Sequence, residues 1–224
     1  MNGRTIGKTD RSVRARCPMS LRETIIRESL KLFSLKGYLS TSIDNILEAS
    51  QASKGGFYNH FASKEELFFT VLGEAQAMWR ERVLWGLDEI ESPLGKIRQL
   101  LLNYKDRYLM DAEDFPGGCV FTTLSVELDD QLPLFVEQIN QGFRGLRRML
   151  ERLLDEAVQA GELRRGISPG ALAGMVFQNM LGASVLYGVD KSRADLDRSI
   201  KVVIDFLEGL KVSPPVNDEH VEPN

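Results

Sequence analysis

The stretch from Thr41 to Phe61, TSIDNILEASQASKGGFYNHF, restricts what this chain can fold into more than any other. Its spacing predicts two short helices joined by a tight turn. Thr41 stands as a cap in front of Ile43, Ile46 and Leu47, an apolar spacing that suits a one-sided helix of about two turns. Asp44 lies three residues after Thr41, where an acidic side chain reaches back to the first amides. This helix runs out at Ser50 and Gln51, and Ser53 then caps a second helix beginning at Lys54. In the second helix Phe57 and Phe61 stand four apart on one face, with Lys54, Gly55, Tyr58 and Asn59 roughly opposite. Two Phe inward and a polar face outward suit a helix that enters a groove rather than one that completes a core.

The flanking chain reads as helix throughout, so the expected class is all-α. Ser20 and Glu23 form a capping box for a helix from Leu21 to Lys36, with Ile25, Ile26, Leu30 and Phe33 as its apolar stripe and Gly37 as its stop. A second box at Ser63–Glu66 opens a long helix through Leu67, Phe68, Val71, Leu72 and Trp79 to Leu87. That helix is the expected mechanical link between an N-terminal head and the rest. Beyond the Ser92-Pro93 break, helices are expected over Leu94–Met110, Cys119–Leu128, Pro133–Gly161, Ser168–Tyr187 and Asp195–Leu210, with a loop from Asp111 to Gly118. The tail from Ser213 to Asn224 has the composition of a disordered segment. The domains read as a basic extension 1–18, a head 19–72, a helical body 73–212 and the tail 213–224.

Charge is distributed unevenly. The net charge of −4 argues against a nucleic-acid partner until it is divided along the chain. Residues 1–18 carry five basic side chains (Arg4, Lys8, Arg11, Arg14, Arg16) against Asp10 alone. Residues 19–72 carry six of each sign, and the remainder seventeen basic against twenty-five acidic. A basic lead-in, a neutral head and an acidic body suit DNA binding at one end only. No apolar run approaches the ~20 residues of a membrane span, and residues 1–18 lack the apolar core of a signal peptide. With two cysteines, Cys17 and Cys119, a disulfide framework is not expected and a reducing cytoplasm fits. The two histidines, His60 and His220, stand apart from any nucleophile. There is no phosphate-binding glycine loop and no Cys/His pair at metal spacing. No catalytic residue, metal or cofactor is therefore assigned.

Several segments together resemble the DNA-binding signature of the TetR family of bacterial regulators. They are Thr41-Ser42-Ile43, Ala49, Ser53-Lys54-Gly55-Gly56-Phe57-Tyr58-Asn59-His60-Phe61 and Ser63-Lys64-Glu65-Glu66-Leu67. The family usually has Gly at the turn where this chain has Gln51; if Gln51 must take a left-handed conformation there, the cost is on the order of 1 kcal/mol. The resemblance implies a three-helix head with a helix-turn-helix, and a helical C-terminal domain for ligand binding and dimerisation. It implies a homodimer on a palindromic double-stranded operator, most simply a repressor released by a small-molecule effector, working in the cytoplasm without a membrane. DNA contacts are expected from Thr41, Ser42, Ser53, Lys54, Gly55, Gly56, Tyr58, Asn59, His60 and Lys64. Tyr58, His60, Lys54 and Lys64 would hold phosphates, and Lys54, Gly56 and Asn59 would approach base edges. An effector pocket would draw on Tyr104, Tyr108, Cys119, Phe121, Met175, Phe177, Met180 and Tyr187. Dimer contacts are expected at Gly174, Gly182, Ala183, Ile200, Val203, Ile204 and Leu207. Gly117 to Phe121 resembles a segment of several family branches, in some of which the Cys senses electrophiles or oxidants. The rival readings are an activator, an electrophile sensor acting through Cys119, and a helical enzyme or ligand carrier without DNA binding.

Overall fold

The computed structural model describes residues 19–128 and 132–212. The basic extension 1–18 with Cys17, and the tail with His220, lie outside the described residues. Those that are described form α1 (Leu21–Lys36), α2 (Ile43–Ser50), α3 (Lys54–Tyr58), α4 (Lys64–Val83), α5 (Pro93–Asn103), α6 (Val120–Leu128), α7 (Pro133–Gln159), α8 (Pro169–Asp190) and α9 (Arg193–Glu208). No strand occurs among them beyond an isolated bridge between Leu163 and Lys211. The helix expected over Leu94–Met110 changes register midway, giving way after Asn103 to a π-helical stretch, Tyr104–Leu109. Tyr104 and Tyr108 of this stretch, four residues apart, both lie in the core, 2 % and 0 % exposed. The long fourth helix stops at Val83 rather than Leu87, because Gly86 takes a positive φ of 73° and reverses the chain.

The caps decide the head. Ser20 and Glu23 form the expected box, the Ser20 amide donating to the Glu23 carboxylate at 2.8 Å. At α2 the box is shifted by one residue from the expected Thr41 and Asp44. Ser42 is the cap, its hydroxyl accepting from the Asn45 amide and its own amide donating to Asn45 Oδ1, both at 3.1 Å. Thr41 is fully buried instead and donates to the Gly37 carbonyl at 2.6 Å, closing the turn after α1. Gln51 does take the left-handed conformation, at φ 54° and ψ 29°. Gln51→Gly is therefore expected to stabilise the protein by about 1 kcal/mol. A rise of a few degrees in melting temperature would show it; an unchanged or lower one would mean the Gln51 side chain compensates for the strain.

Head and body share one apolar core rather than two. α4 runs from one into the other, through the boundary expected after residue 72, with Val71, Leu72 and Ala75 buried. Tyr38 of the head and Phe68 of α4 meet Phe135 of α7, with Phe68 and Phe135 stacked at 4.2 Å and Phe33 of the head packed against Tyr38 and Phe68. Such offset aromatic contacts add to the area they bury. α6 closes the joint. The Glu127 carboxylate accepts the Tyr38 and Leu39 amides at 2.6 and 2.8 Å, directly under Gly37, where a β-carbon would overlap it. Gly37 sits at φ 78°, so space and backbone both require glycine there.

Charge pairs fasten the Asp111–Gly118 loop across the same joint. Arg27 of α1 binds Asp114 at 3.1 Å and pairs with Glu113. Arg82 of α4 donates to Asp114 at 2.6 Å, while its other amino nitrogen lies against Asp111 without hydrogen-bond geometry. Burial of Asp114 opposes its charge, but the Arg82 and Arg27 guanidinium groups outweigh it and hold the carboxyl below its ordinary value. In the body α7, α8 and α9 pack in sequence, with α5 against α7 and α9.

Candidate nucleic-acid interface and ligand cavity

The helix-turn-helix presents a narrow polar ridge. Phe57 and Phe61 are 0 % and 1 % exposed, and these two anchors fix the rotation of α3 against α1. Ser53 caps the helix by accepting from the Gly56 amide at 3.0 Å. With the apolar side pinned, Lys54, Gly55, Tyr58, Asn59 and His60 all fall on the exposed side, together with Ser42 and Ser53, and Gly56 is half-buried. A β-carbon at Gly55 would meet nothing, so that position offers backbone to an approaching phosphate or base. Arg22 joins the ridge over the Phe61 ring at 5.4 Å, a placement the sequence motif does not signal.

Two expected DNA contacts are placed otherwise. The buried Thr41 hydroxyl is committed to Gly37, so it faces no ligand. Lys64 donates to the Tyr38 and Thr41 carbonyls at 2.9 and 2.8 Å, with its ammonium 4.0 Å from the centre of the Tyr38 ring. Burial lowers its pKa, partly offset by the Glu127 charge. Lys64 thus ties the start of α4 to the turn between α1 and α2, leaving one N–H for any phosphate. The family motif identifies these residues without separating a residue that holds the head together from one that touches DNA.

A cavity of about 400 Å³ lies between α4, the π-helical stretch, α6, α7 and α8. It falls within the size range of small-molecule sites. Tyr104, Cys119, Phe121, Phe177 and Met180 line it as expected. Tyr108, Met175 and Tyr187 do not. Tyr108 is buried behind the wall, where its hydroxyl lies 3.7 Å from the Cys119 sulfur. Met175 and Tyr187 pack on other parts of the core. Burial, with Cys119 alongside, pushes the phenols of Tyr104 and Tyr108 well up, so both remain neutral donors; Tyr104 donates to the Met180 carbonyl at 3.3 Å. Cys119 precedes α6 and is 6 % exposed. The acidic residues upstream of it, Asp111 and Asp114, are matched by Arg82 and Arg27. Sequence reasoning missed most of the wall, which comes from one face of α7 (Gln138, Gly142, Gly145, Leu146, Met149) and from Gln76, Trp79 and Arg80 of α4. The available signal was Gly142 and Gly145 interrupting the apolar stripe of α7.

The expected dimer residues also divide. Ala183, Ile200, Val203 and Leu207 are at most 5 % exposed, Ile204 packs against the same core, and Gly174 is half-buried. They belong to the protomer's own core, because α8 carries two apolar stripes and these residues sit on or against the inner one. The outer stripe is Gly182, Val185, Leu186 and Val189, continued on α9 by Val202 and Phe206, all exposed. A β-carbon at Gly182 would meet nothing. Contrary to the sequence expectation, α8 is by length and composition apolar enough to cross a membrane, the one such helix among the described residues. Part of it is buried in this fold.

Residues 25–71 match the description "Bacterial regulatory proteins, tetR family", and residues 93–203 match "Tetracyclin repressor-like, C-terminal domain". The chain is 27% identical to the HTH-type transcriptional repressor DhaR of Mycobacterium sp. (strain GP1) over 194 residues, covering 86% of this chain and 94% of that protein. It is 31% identical to the transcriptional regulator AcuR of Cereibacter sphaeroides over 153 residues, covering 67% of this chain and 68% of AcuR. A crystal structure of a TetR transcriptional regulator from Chloroflexus aurantiacus J-10-FL superposes with a TM-score of 0.79 at 25% identity, covering 86% of this chain and 97% of that one. An exposed reading ridge on a buried pair of Phe, a helical body with a cavity, and these matches at both ends of the chain agree: it belongs to the TetR family of DNA-binding transcriptional regulators.

Proposed function

We propose that this protein is a dimeric repressor that lays α3 in successive major grooves of a palindromic operator and is released by a small molecule held in the α4–α8 cavity. In this reading residues 19–72 bind DNA, and residues 73–212 bind the effector and dimerise. The observation that carries it is the division of α3 and the turn that follows it into a buried side, Phe57 and Phe61, and an exposed side, Lys54, Tyr58, Asn59 and His60. A short helix held at a fixed angle with its polar side outward is what major-groove reading requires. The outer stripe of α8 and α9 supplies a self-complementary apolar surface for a two-fold partner. DhaR is named a repressor, and AibR, a neighbour in fold, has been solved with isovaleryl coenzyme A and operator DNA. The effector would act by binding better to a conformation whose two α3 helices no longer match the groove spacing. α4 and α6 both run from the cavity wall to the head and provide the route. The reading implies work in the cytoplasm, where the DNA is.

A gel shift against the DNA upstream of the protein's own gene tests this. Binding should weaken steeply with salt as phosphate counterions are released. Lys54→Ala should cost about tenfold and blur the preference for operator over unrelated DNA, as loss of a base-edge contact does. Tyr58→Phe should cost about fivefold on all sequences alike, as loss of a phosphate hydrogen bond does. If both variants bind as the parent does, α3 is not the reading helix.

A further inference from the structure

The cavity is chemically one-sided. Its inner wall is apolar and buried: Phe121, Phe177 and Met180 are each at most 8 % exposed, with the neutral Tyr104 phenol among them. Its solvent-exposed lining residues are on α4 and α7, Arg80 from the first and Gln138, Gln141 and Gly142 from the second, with Gln76 of α4 half-buried, so the mouth lies between these two helices. Among the described residues no Asp or Glu lines the cavity. Arg80 is the one charged group among those described residues that does. Among the described residues its guanidinium has neither a carboxylate within ion-pairing distance nor a stacking ring, whereas Arg82, two residues on, is held by Asp111 and Asp114. The role of complementing the α4 C-terminus can be met by Arg82 as well.

The aromatic walls alone would accept either a neutral apolar body or a cation lying against ring faces. Arg80 decides between them, because a cation entering this mouth meets a fixed positive charge and, among the described lining residues, no carboxylate. An anion there gains a forked, charge-assisted pair with Arg80 and amide donors from the neighbouring glutamines. Resting on the reading of this cavity as the effector site, we propose that its ligand is an amphiphilic anion: an apolar chain or ring system in the Phe121/Phe177/Met180 interior, with a carboxylate or similar acid group at the mouth on Arg80. The same contact explains how binding reaches DNA. Arg80 lies on α4, whose first turn is bound through Lys64 to the turn between α1 and α2. An anion drawing Arg80 toward α7 therefore pulls on the helix that sets the angle of the head.

The test is calorimetric titration of the full chain with decanoate, decanol and decyltrimethylammonium, each below its aggregation concentration, beside a gel shift. Decanoate is expected to bind about tenfold more tightly than decanol, with the cation weakest. Arg80→Gln, at an exposed position, should bring decanoate to the level of decanol and leave decanol unchanged. Gly145→Leu adds side chain to the cavity wall where a β-carbon meets nothing, and should remove binding of all three. The proposal is overturned if the cation binds as well as decanoate, if Arg80→Gln keeps the preference, if none of the three binds, or if decanoate binding survives Gly145→Leu. Decanoate that binds through Arg80 without releasing DNA would uphold the ligand class and sink the effector-release reading, so the two fail separately.

Discussion

Leu186→Asp is expected to leave the protomer folded, turn a dimer into monomers at micromolar concentration, and weaken operator binding on the order of a hundredfold or more. Leu186 is 62 % exposed and Val189 81 %, so in a lone protomer the substitution removes few contacts and adds a solvated carboxylate. In a two-fold dimer the same site occurs twice. Each copy loses about 1–2 kcal/mol of apolar burial and confines an unpaired carboxylate in an apolar interface, at a cost of several kcal/mol more. Two α3 helices on one rigid dimer convert the second half-site contact into an intramolecular one, and monomers lose that gain. Ala183 would be a misleading choice for this experiment, because it is 5 % exposed within its own protomer and a charge there would damage the fold itself. Sedimentation of parent and variant gives the answer. A parent that sediments as a monomer, or a variant that stays dimeric, would remove the α8–α9 face from the interface.

The other large effect is expected at Gly117. A β-carbon there would sit on the Ser34 carbonyl group and only 2.9 Å from the Leu35 nitrogen, so the obstacle is backbone that cannot rotate away. Gly117→Ala must push the Asp111–Gly118 loop off the end of α1. That strains the Arg27–Asp114–Arg82 bridge and breaks the bond from the Gly117 amide to Ser34 Oγ at 3.2 Å. Overpacking of this kind costs about 3 kcal/mol, or roughly 10 °C in melting temperature for a chain of this size. DNA binding should fall with it, since the displaced contact is between body and head. Gly142→Ala is the control, an α7 helix position whose β-carbon would meet nothing, and alanine there should be neutral or slightly stabilising. Equal melting of parent and Gly117→Ala would mean that α1 and the loop are not in contact.

Much of the architecture was readable because it rests on local rules. Capping boxes at Ser20 and Ser63, Pro at the starts of α5, α7 and α8, and glycine after α1 depend on neighbours three or four residues away, so helix bounds followed closely. The left-handed Gln51 was signalled only by the family resemblance, which has Gly at that turn; nothing in the residues around Gln51 itself required it. The buried face of α3 followed from two Phe at helical spacing. Where a choice depended on which neighbour a face meets, periodicity was silent. α8 is apolar on two sides, and only packing against α7 and α9 shows that Ala183 faces inward and Leu186 outward. Ser42 rather than Thr41 caps α2 because the Gly37 carbonyl, four residues earlier, claims the Thr41 hydroxyl. Lys64 turns inward because the chain after α1 brings the Tyr38 and Thr41 carbonyls within reach of its ammonium. Glu127, unremarkable in the sequence, becomes a main tie between body and head because α6 passes under Gly37. The helices and the reading ridge were set by chemistry within one or two turns. The cavity, the exposed apolar stripe of α8 and α9 and the joint between head and body were set by contacts between residues far apart in the chain, which only the folded structure brings together.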